Sequence, residues 1–176
     1  MSQFKPACLR AVFLSTLFVL AQFPAQAHAQ KPWRAATESE LAALLPDRAP
    51  VEKEHIETEM RTATGITNGN GTYIAAVLLI TAGYSADGKY SHFLVVQNPI
   101  KIGGLRLKAG NYAVGWERAG EVLNVHFHDA TNGTLDGTVE AHRIPGTGRV
   151  ESFRIWPPAD KGIIQIGRFE MPYVLE

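Results

Sequence analysis

The stretch from Thr72 to Gln97, TYIAAVLLITAGYSADGKYSHFLVVQ, decides the fold class of this chain. Its first half is apolar nearly throughout, which is typical of a β-strand covered on both faces. The Asp87-Gly88 pair is a preferred hairpin turn, and the segment after it returns as a second apolar strand. The stretch therefore predicts two strands joined by a tight turn.

Strand-like segments and turn residues continue on both sides of this stretch. ITNGNGTY (66–73) precedes it and carries two Asn-Gly pairs. The segments that follow it are NYAVGWE (111–117), EVLNVHFHD (121–129), GTVEAHRI (137–144), VESFRIW (150–156) and IIQIGRFEMPYVL (163–175). Strands at intervals of roughly 8–12 residues, joined by Gly, Asn, Asp and Pro, predict an all-β fold. We expect an antiparallel β-sandwich over residues 61–176, with a small β-barrel or a jelly roll as the alternatives.

One short helix is predicted ahead of the strands. In TESELAALLP (37–46), Thr37 and Glu40 have the spacing of a capping box, the leucines share one face, and Pro46 ends the helix. The next segment, DRAPVEKEHIETEMR (47–61), mixes acidic and basic residues and is interpreted as a solvated linker or an edge strand. Residues 30–60 are thus predicted to form an N-terminal arm, a short helix and a charged linker.

The first 29 residues have the layout of a secretory signal peptide. Lys5 and Arg10 charge the leading end, a largely apolar stretch covers residues 11–20, and small residues precede a cleavage position after Ala29. The apolar stretch is too short for a transmembrane helix, which needs about 20 such residues. The sequence therefore predicts export to the periplasm or the cell exterior, with no membrane span after cleavage.

The mature chain would be nearly neutral and would lack cysteine. Loss of Lys5 and Arg10 leaves 15 of the 17 basic residues against 17 acidic ones, and Cys8, the one cysteine, leaves with the leader. Such a surface gives no electrostatic basis for binding nucleic acid. The lack of cysteine also excludes disulfides and thiolate chemistry from the mature chain.

Two histidines form the most distinctive motif of the sequence, in NVHFHDATNG (124–133). Apolar residues alternate with them, so His126 and His128 are predicted to lie on the outer face of a strand. If residues 131–133 form a three-residue hairpin turn, the next strand returns with Asp136 opposite His128. A slip of one residue would bury the acidic side chains, which supports this register.

The predicted outer face gathers His126, His128, Asp136 and Glu140, with Glu140 opposite Asn124. Cross-strand neighbours lie about 4.5–5.5 Å apart at Cβ. Two imidazoles with one or two carboxylates suit zinc, iron, manganese or copper. The alternative is a polar, solvated strand face on which histidine and acid pair without metal, and under that alternative no cofactor is expected.

The segment GEVLNVHFH (120–128) resembles the opening of the cupin signature, a glycine followed after five residues by His-x-His. Gly120, His126 and His128 fill these positions. Cupins are jelly-roll metalloproteins, so the resemblance implies a metal site on this strand. The match ends there, because Asn132 and Gly133 stand where cupins place a glutamate ligand.

A broader resemblance covers most of the mature chain. The pattern L-x-A-G-x-Y-x-V-x-W, filled by LKAGNYAVGW from Leu107 to Trp116, is similar to a glycine turn and a buried aromatic strand of exported β-sandwich modules. With FRIWPP and IQIGRFEMPY, it resembles a family of small exported bacterial proteins of unassigned function. The resemblance implies the fold and export, and it implies no catalytic residues.

Catalytic patterns are scarce in the mature chain. It contains no Gly-x-Ser-x-Gly and no Ser-x-x-Lys, and its exposed glutamates are scattered. Three tryptophans, Trp33, Trp116 and Trp156, are candidates for stacking on a sugar or another small ligand. Trp116 is in phase with core residues, and Trp33 is placed in the loose arm.

The sequence thus predicts an exported, non-enzymatic domain. It would bind a small molecule or a protein partner, or form part of the cell envelope. The alternative is a metal-binding, cupin-like protein that uses the His-x-His strand.

Overall fold

The computed structural model describes residue 1 and residues 32–176 of the chain. The predicted signal peptide, residues 1–29, lies outside the described residues apart from Met1, as does the cleavage position after Ala29. The elements are β1 (Arg34–Ala35), α1 (Glu38–Leu44), β2 (Arg48–Val51), β3 (Glu54–Thr67), β4 (Tyr73–Leu79), β5 (His92–Val96), β6 (Ile100–Ile102), β7 (Leu105–Leu107), β8 (Gly110–Ala119), β9 (Val122–Asp129), β10 (Leu135–Arg143), β11 (Glu151–Ile155), β12 (Ile163–Gly167) and β13 (Phe169–Leu175).

The strands form one antiparallel sheet that curls back on itself. Its order is β1-β3-β4-β5-β8-β9-β10-β13-β12-β11, with β2 on β3 and the β6–β7 hairpin on β13. At the seam, β11 approaches β3, where Ile155 N donates to Thr64 Oγ1 at 3.3 Å. The all-β prediction with one short helix is confirmed, and a barrel-like description fits this curled sheet as well.

The inner face of the curled sheet encloses the larger of two apolar clusters, the inner core. Its members include Leu94, Val96, Tyr112, Val114, Val125, Phe127, Ile155, Ile164 and Met171. Trp116 packs against the same cluster, so Tyr112, Val114 and Trp116 share one face as their alternation predicted. Because the side chains of a strand alternate between faces, the other half of each strand needs separate cover.

A second apolar cluster, the outer core, covers the opposite face of β4, β5 and β8. Phe93 and Val95 of β5 point into it, and so do Leu41 and Leu45 at the helix. Helix α1, strand β2 and the connection over residues 80–91 form its outer layer. This cover explains why β4 and β5 are apolar on both faces.

The predicted capping box of α1 is present. Glu40 N donates to Thr37 Oγ1 at 3.3 Å, and Thr37 N donates to Glu40 Oε2 at 2.8 Å. The helix ends at Leu44, two residues before Pro46. In the part of the chain that the structure describes, no helix has the length and apolar character needed to cross a membrane.

The charged segment over residues 47–61 forms strands, and β2, which pairs only with β3 among the described strands, agrees with the edge-strand interpretation and not with a solvated linker. It builds β2 and the first half of β3, so the expected boundary at residue 60 falls inside a strand. Ala49 and Val51 of β2 and Ile56 of β3 are buried. Their neighbours along the strands, Arg48, Pro50, His55 and Glu57, are exposed. The many charged residues of this segment make the alternation hard to recognise in the sequence.

The Asp87-Gly88 pair does not make a tight hairpin between β4 and β5. It lies in the longer connection over residues 80–91, which crosses the outer face of β8. A Cβ atom on Gly115 would overlap Lys89 O of this connection, so glycine permits the close approach of the two backbones. Gly88 has the positive φ of a turn glycine, 72°, but its segment packs across β8 and does not form a hairpin turn.

Candidate functional site

The β9–β10 hairpin carries the histidine motif, and its register agrees with the prediction away from the turn. Val125 pairs with Val139. The turn is longer than expected, because Asp129 N donates to Thr134 O at 2.8 Å and closes a four-residue loop. Gly133 has the predicted left-handed conformation, with φ of 72°.

A β-bulge compensates for this extra turn residue. His128 pairs with Leu135, whereas Phe127 pairs with Gly137, so Asp136 is the inserted residue between them. The predicted pairing of Asp136 with His128 is therefore wrong. The bulge restores the register beyond it, which keeps Phe127 on the core side of the strand.

Both histidines use Nδ1 in hydrogen bonds to the hairpin. His126 Nδ1 lies 2.9 Å from Thr138 Oγ1, and its Nε2 is 3.9 Å from Glu117 Oε1. His128 Nδ1 lies 3.1 Å from Gly133 O. Because a carbonyl only accepts, His128 carries a proton on Nδ1, and Nε2 is its free nitrogen when the ring is neutral.

The four predicted metal ligands are not gathered around one point. The centroids of the His126 and His128 rings are 6.4 Å apart, Asp136 occupies the bulge, and Glu140 pairs with Asn124. Among residues 32–176, no group of three or more His, Cys, Asp or Glu side chains is placed to hold a metal ion. Metal binding at the histidines stays a prediction.

His128 is partly covered by a polar cluster from other elements. Its ring makes an edge contact with Tyr90 at 5.1 Å between centroids. Glu52, which has a positive φ of 54°, accepts from Lys89 Nζ and from Tyr90 Oη, both at 2.8 Å. The Lys89 ammonium lowers the pKa of Glu52, and burial raises the pKa of Tyr90. The cluster ties the 80–91 connection to the β2–β3 turn.

A third histidine, His92, is buried inside the sheet. Its side chain stacks on Phe153 at 4.5 Å between centroids and contacts Trp116 at 5.4 Å. Nδ1 lies 3.0 Å from Ser91 Oγ, whereas Nε2 is buried without a hydrogen-bond partner in the described part of the chain. Burial lowers the pKa of His92 to about 4, so the ring is neutral near pH 7.

Next to this aromatic stack, one end of the curled sheet opens into a cavity of about 440 Å³, here called the mouth cavity. It lies where the β8–β9 hairpin, the end of β10, the start of β11 and the β12–β13 hairpin meet. Its lining residues are Trp116, Arg118, Leu123, Arg143, Val150, Ser152, Ile166, Gly167, Arg168 and Phe169. Five of these are large apolar residues and three are arginines.

Backbone pairing fixes the arginine-bearing elements relative to one another. Arg143 pairs with Phe169 across β10 and β13. Ile144 N donates to Arg168 O at 2.8 Å, which holds the β12–β13 turn against the end of β10. Arg118 Nε donates to Gly120 O at 3.0 Å in the β8–β9 turn. The three side chains are therefore carried by hairpins and not by a loose loop.

The other two tryptophans do not offer open stacking faces. Trp33 packs against the inner core instead of lying in a loose arm. The guanidinium of Arg154 and the ammonium of Lys161 lie 4.3 Å and 4.1 Å from the Trp156 ring centroid. Trp156 Nε1 also donates to Gln165 Oε1 at 3.0 Å. Of the three, Trp116 is the one that lines the mouth cavity.

A second cavity, of about 320 Å³, lies at the seam between α1, β3 and β11. Its lining includes charges of both signs, from Glu38, Arg61, Glu151 and Arg154. Glu151 Oε1 is 3.0 Å from Arg149 Nε, so part of this charge is already compensated. The seam cavity is therefore more polar and more balanced in charge than the mouth cavity.

Sequence reasoning missed both His92 and the mouth cavity. His92 is in phase with Leu94 and Val96, and that phase was the available indication that it faces the core. No local pattern marks the mouth cavity, because its lining comes from six strands and two connections. Comparison of the chain with protein-family models, curated proteins and solved structures finds no match.

Proposed function

We propose that this chain is an exported, non-enzymatic binding protein that takes a small, largely apolar molecule into the mouth cavity. The observation that carries the proposal is the cavity itself. Its volume of about 440 Å³ falls within the range of roughly 300–1,000 Å³ typical of small-molecule sites. Export rests on the signal-peptide layout of residues 1–29.

The apolar lining supports uptake of an apolar body. Trp116 and Phe169 supply aromatic surface, and Leu123 and Ile166 supply aliphatic surface below the rim. Val150 remains 52% exposed at the edge. A ligand that covers this surface would remove it from water and gain roughly 25 cal/mol per Å² of apolar area before the costs of binding.

The chemistry of the lining favours binding over catalysis. The lining side chains include one hydroxyl, that of Ser152, and no histidine, cysteine or carboxylate. A serine nucleophile needs an adjacent base, and the charged side chains that line this cavity are arginines, which stay protonated. The groups around the mouth cavity can therefore hold and orient a molecule.

The neutral, apolar fluorophore N-phenyl-1-naphthylamine tests the proposal. We expect saturable fluorescence enhancement with the parent protein and strong weakening in Val150→Asp, because a carboxylate then stands at the cavity edge. Val174→Asp is the matched control, since Val174 is 64% exposed on β13 and does not line the cavity. Equal enhancement in both variants, at unchanged melting temperatures, would argue against this site.

Export is tested separately from binding. The full-length protein should be recovered from the periplasmic or extracellular fraction with Gln30 as its first residue. Recovery of uncleaved chain inside the cell would overturn export and leave the binding proposal to be judged by the fluorophore.

A further inference from the structure

We propose that the molecule taken up by the mouth cavity carries an oxyanion head, a carboxylate or a phosphate, which Arg118, Arg143 and Arg168 bind at the rim. This inference rests on the proposed function and specifies its ligand class. It is carried by the sign of the charges around the cavity and by the lack of compensation for two of them.

The charged side chains that line the mouth cavity are three guanidinium groups and no carboxylate. Like charges on neighbouring elements repel one another, and an anion bound between them offsets this repulsion. An anion held there would be surrounded by donors carried on three separate hairpins. The seam cavity, with glutamates among its arginines, has no such bias.

Other arginines of the fold are paired with carboxylates. Arg34 lies 2.7 Å from Glu40, and Arg61 lies 2.8 Å from Glu59. Within residues 32–176, no carboxylate oxygen lies within 4.0 Å of the guanidinium groups of Arg118 or Arg168. Carboxylates therefore compensate arginines elsewhere in the fold. The lack of a carboxylate partner for Arg118 and Arg168 is specific to the mouth cavity.

Arg143 has one acidic neighbour, and the contact is weak. Its Nη1 is 3.9 Å from Glu121 Oε2, and the glutamate side chain is largely exposed. An exposed pair at this distance is screened by water and contributes little to stability. A bound oxyanion can replace Glu121 at small cost, because the glutamate returns to solvent.

The ligand must match both parts of the cavity. Guanidinium groups bind carboxylate and phosphate oxygens through paired, charge-assisted hydrogen bonds. The guanidinium of Arg118 also lies 5.7 Å from the Phe169 ring centroid, so the charged rim and the aromatic wall adjoin. The geometry therefore suits an amphipathic acid whose apolar chain enters the cavity and whose head stays at the rim.

Three probes with the same apolar chain test this inference: decanoate, decyl phosphate and decan-1-ol, compared by isothermal titration calorimetry. We expect both anions to bind about tenfold to a hundredfold more tightly than the alcohol, the range for one charge-assisted hydrogen bond. Tighter binding of decanoate would assign the head as a carboxylate, and tighter binding of decyl phosphate would assign it as a phosphate.

Single substitutions test whether the three arginines bind the anionic head group. Arg118→Gln, Arg143→Gln and Arg168→Gln should each weaken the anions about tenfold or more, and each should weaken decan-1-ol much less than it weakens the anions. Arg48→Gln is the control, because Arg48 and Arg143 are both 58% exposed at the side chain and both lie 3.9 Å from one glutamate. Melting temperatures verify that each variant is folded.

The outcomes separate this inference from the proposed function. If decan-1-ol binds as tightly as the anions, or if the three arginine variants behave like Arg48→Gln, the oxyanion head is overturned while the apolar site stands. If neither the fluorophore nor any of the three probes binds, the proposed function itself fails, and this inference fails with it.

Discussion

His92 stacks on Phe153 with ring centroids 4.5 Å apart, and its Nε2 is buried without a hydrogen-bond partner among the described residues. The imidazole therefore packs as a neutral aromatic ring inside the sheet, with Nδ1 3.0 Å from Ser91 Oγ. Protonation would place a charge in a buried site where Nε2 has no acceptor among the described residues, and burial lowers the pKa of His92 to about 4.

The stability of the protein should fall between pH 6.5 and about pH 4 because of His92. In this window the unfolded histidine binds a proton and the folded one does not, so the free energy of unfolding decreases as the pH falls. The full effect is about 3 kcal/mol, from a pKa lowered from 6.5 to about 4. Urea denaturation at a series of pH values measures it.

His92→Phe keeps an aromatic ring in the stack and removes the titrating group. The variant should lose this part of the pH dependence, whereas His142→Phe, at an exposed position, should retain it. An unchanged pH profile in His92→Phe would show that other groups cause the acid destabilisation.

The close approach of the 80–91 connection to β8 predicts a sharp effect of one methyl group. Gly115→Ala places a Cβ against Lys89 O and should cost roughly 1–3 kcal/mol of stability through overpacking. Gly104→Ala is the control, since a Cβ there meets nothing within 4 Å. Chemical denaturation of the two variants compares them directly, and equal stabilities would show that the connection does not pack on Gly115.

The metal hypothesis is tested by elemental analysis of protein purified without chelator and without a histidine tag. Because His126 and His128 both use Nδ1 within the hairpin, and no third ligand joins them among residues 32–176, we expect less than stoichiometric metal. Stoichiometric zinc, iron, manganese or copper that disappears in the His126→Ala, His128→Ala double variant would instead support the cupin-like alternative.

Much of the fold was predictable because its determinants are local. Apolar alternation placed Val125 and Val139 opposite each other, and the spacing of Thr37 and Glu40 identified the helix start. The sequence does not predict the hairpin between β12 and β13, because strand-like residues run through 163–175 without a strong turn signal. Its turn is Gly167-Arg168, in which Gly167 has φ of 60°, and this dipeptide is a weaker turn indicator than Asn-Gly.

The candidate site was less predictable because it depends on tertiary packing. The position of Asp136 depended on a single turn residue and on the bulge that absorbs it. Arg118, Arg143 and Arg168 are far apart in sequence and come to line one cavity because β8, β9, β10 and β13 are successive neighbours in the sheet. A charge pattern along the chain cannot indicate that convergence.

The most direct test of the mouth cavity as a binding site is an NMR titration of the ¹⁵N-labelled protein with decanoate. The three tryptophan indole N–H signals report on three separate places, and only Trp116 lines the mouth cavity. We predict that the Trp116 indole and the backbone amides of Arg118, Arg143 and Phe169 shift in a saturable manner while Trp33 and Trp156 do not. Saturable shifts confined to Trp33 or Trp156, or no shifts at all, would contradict a ligand site at the mouth of the sheet.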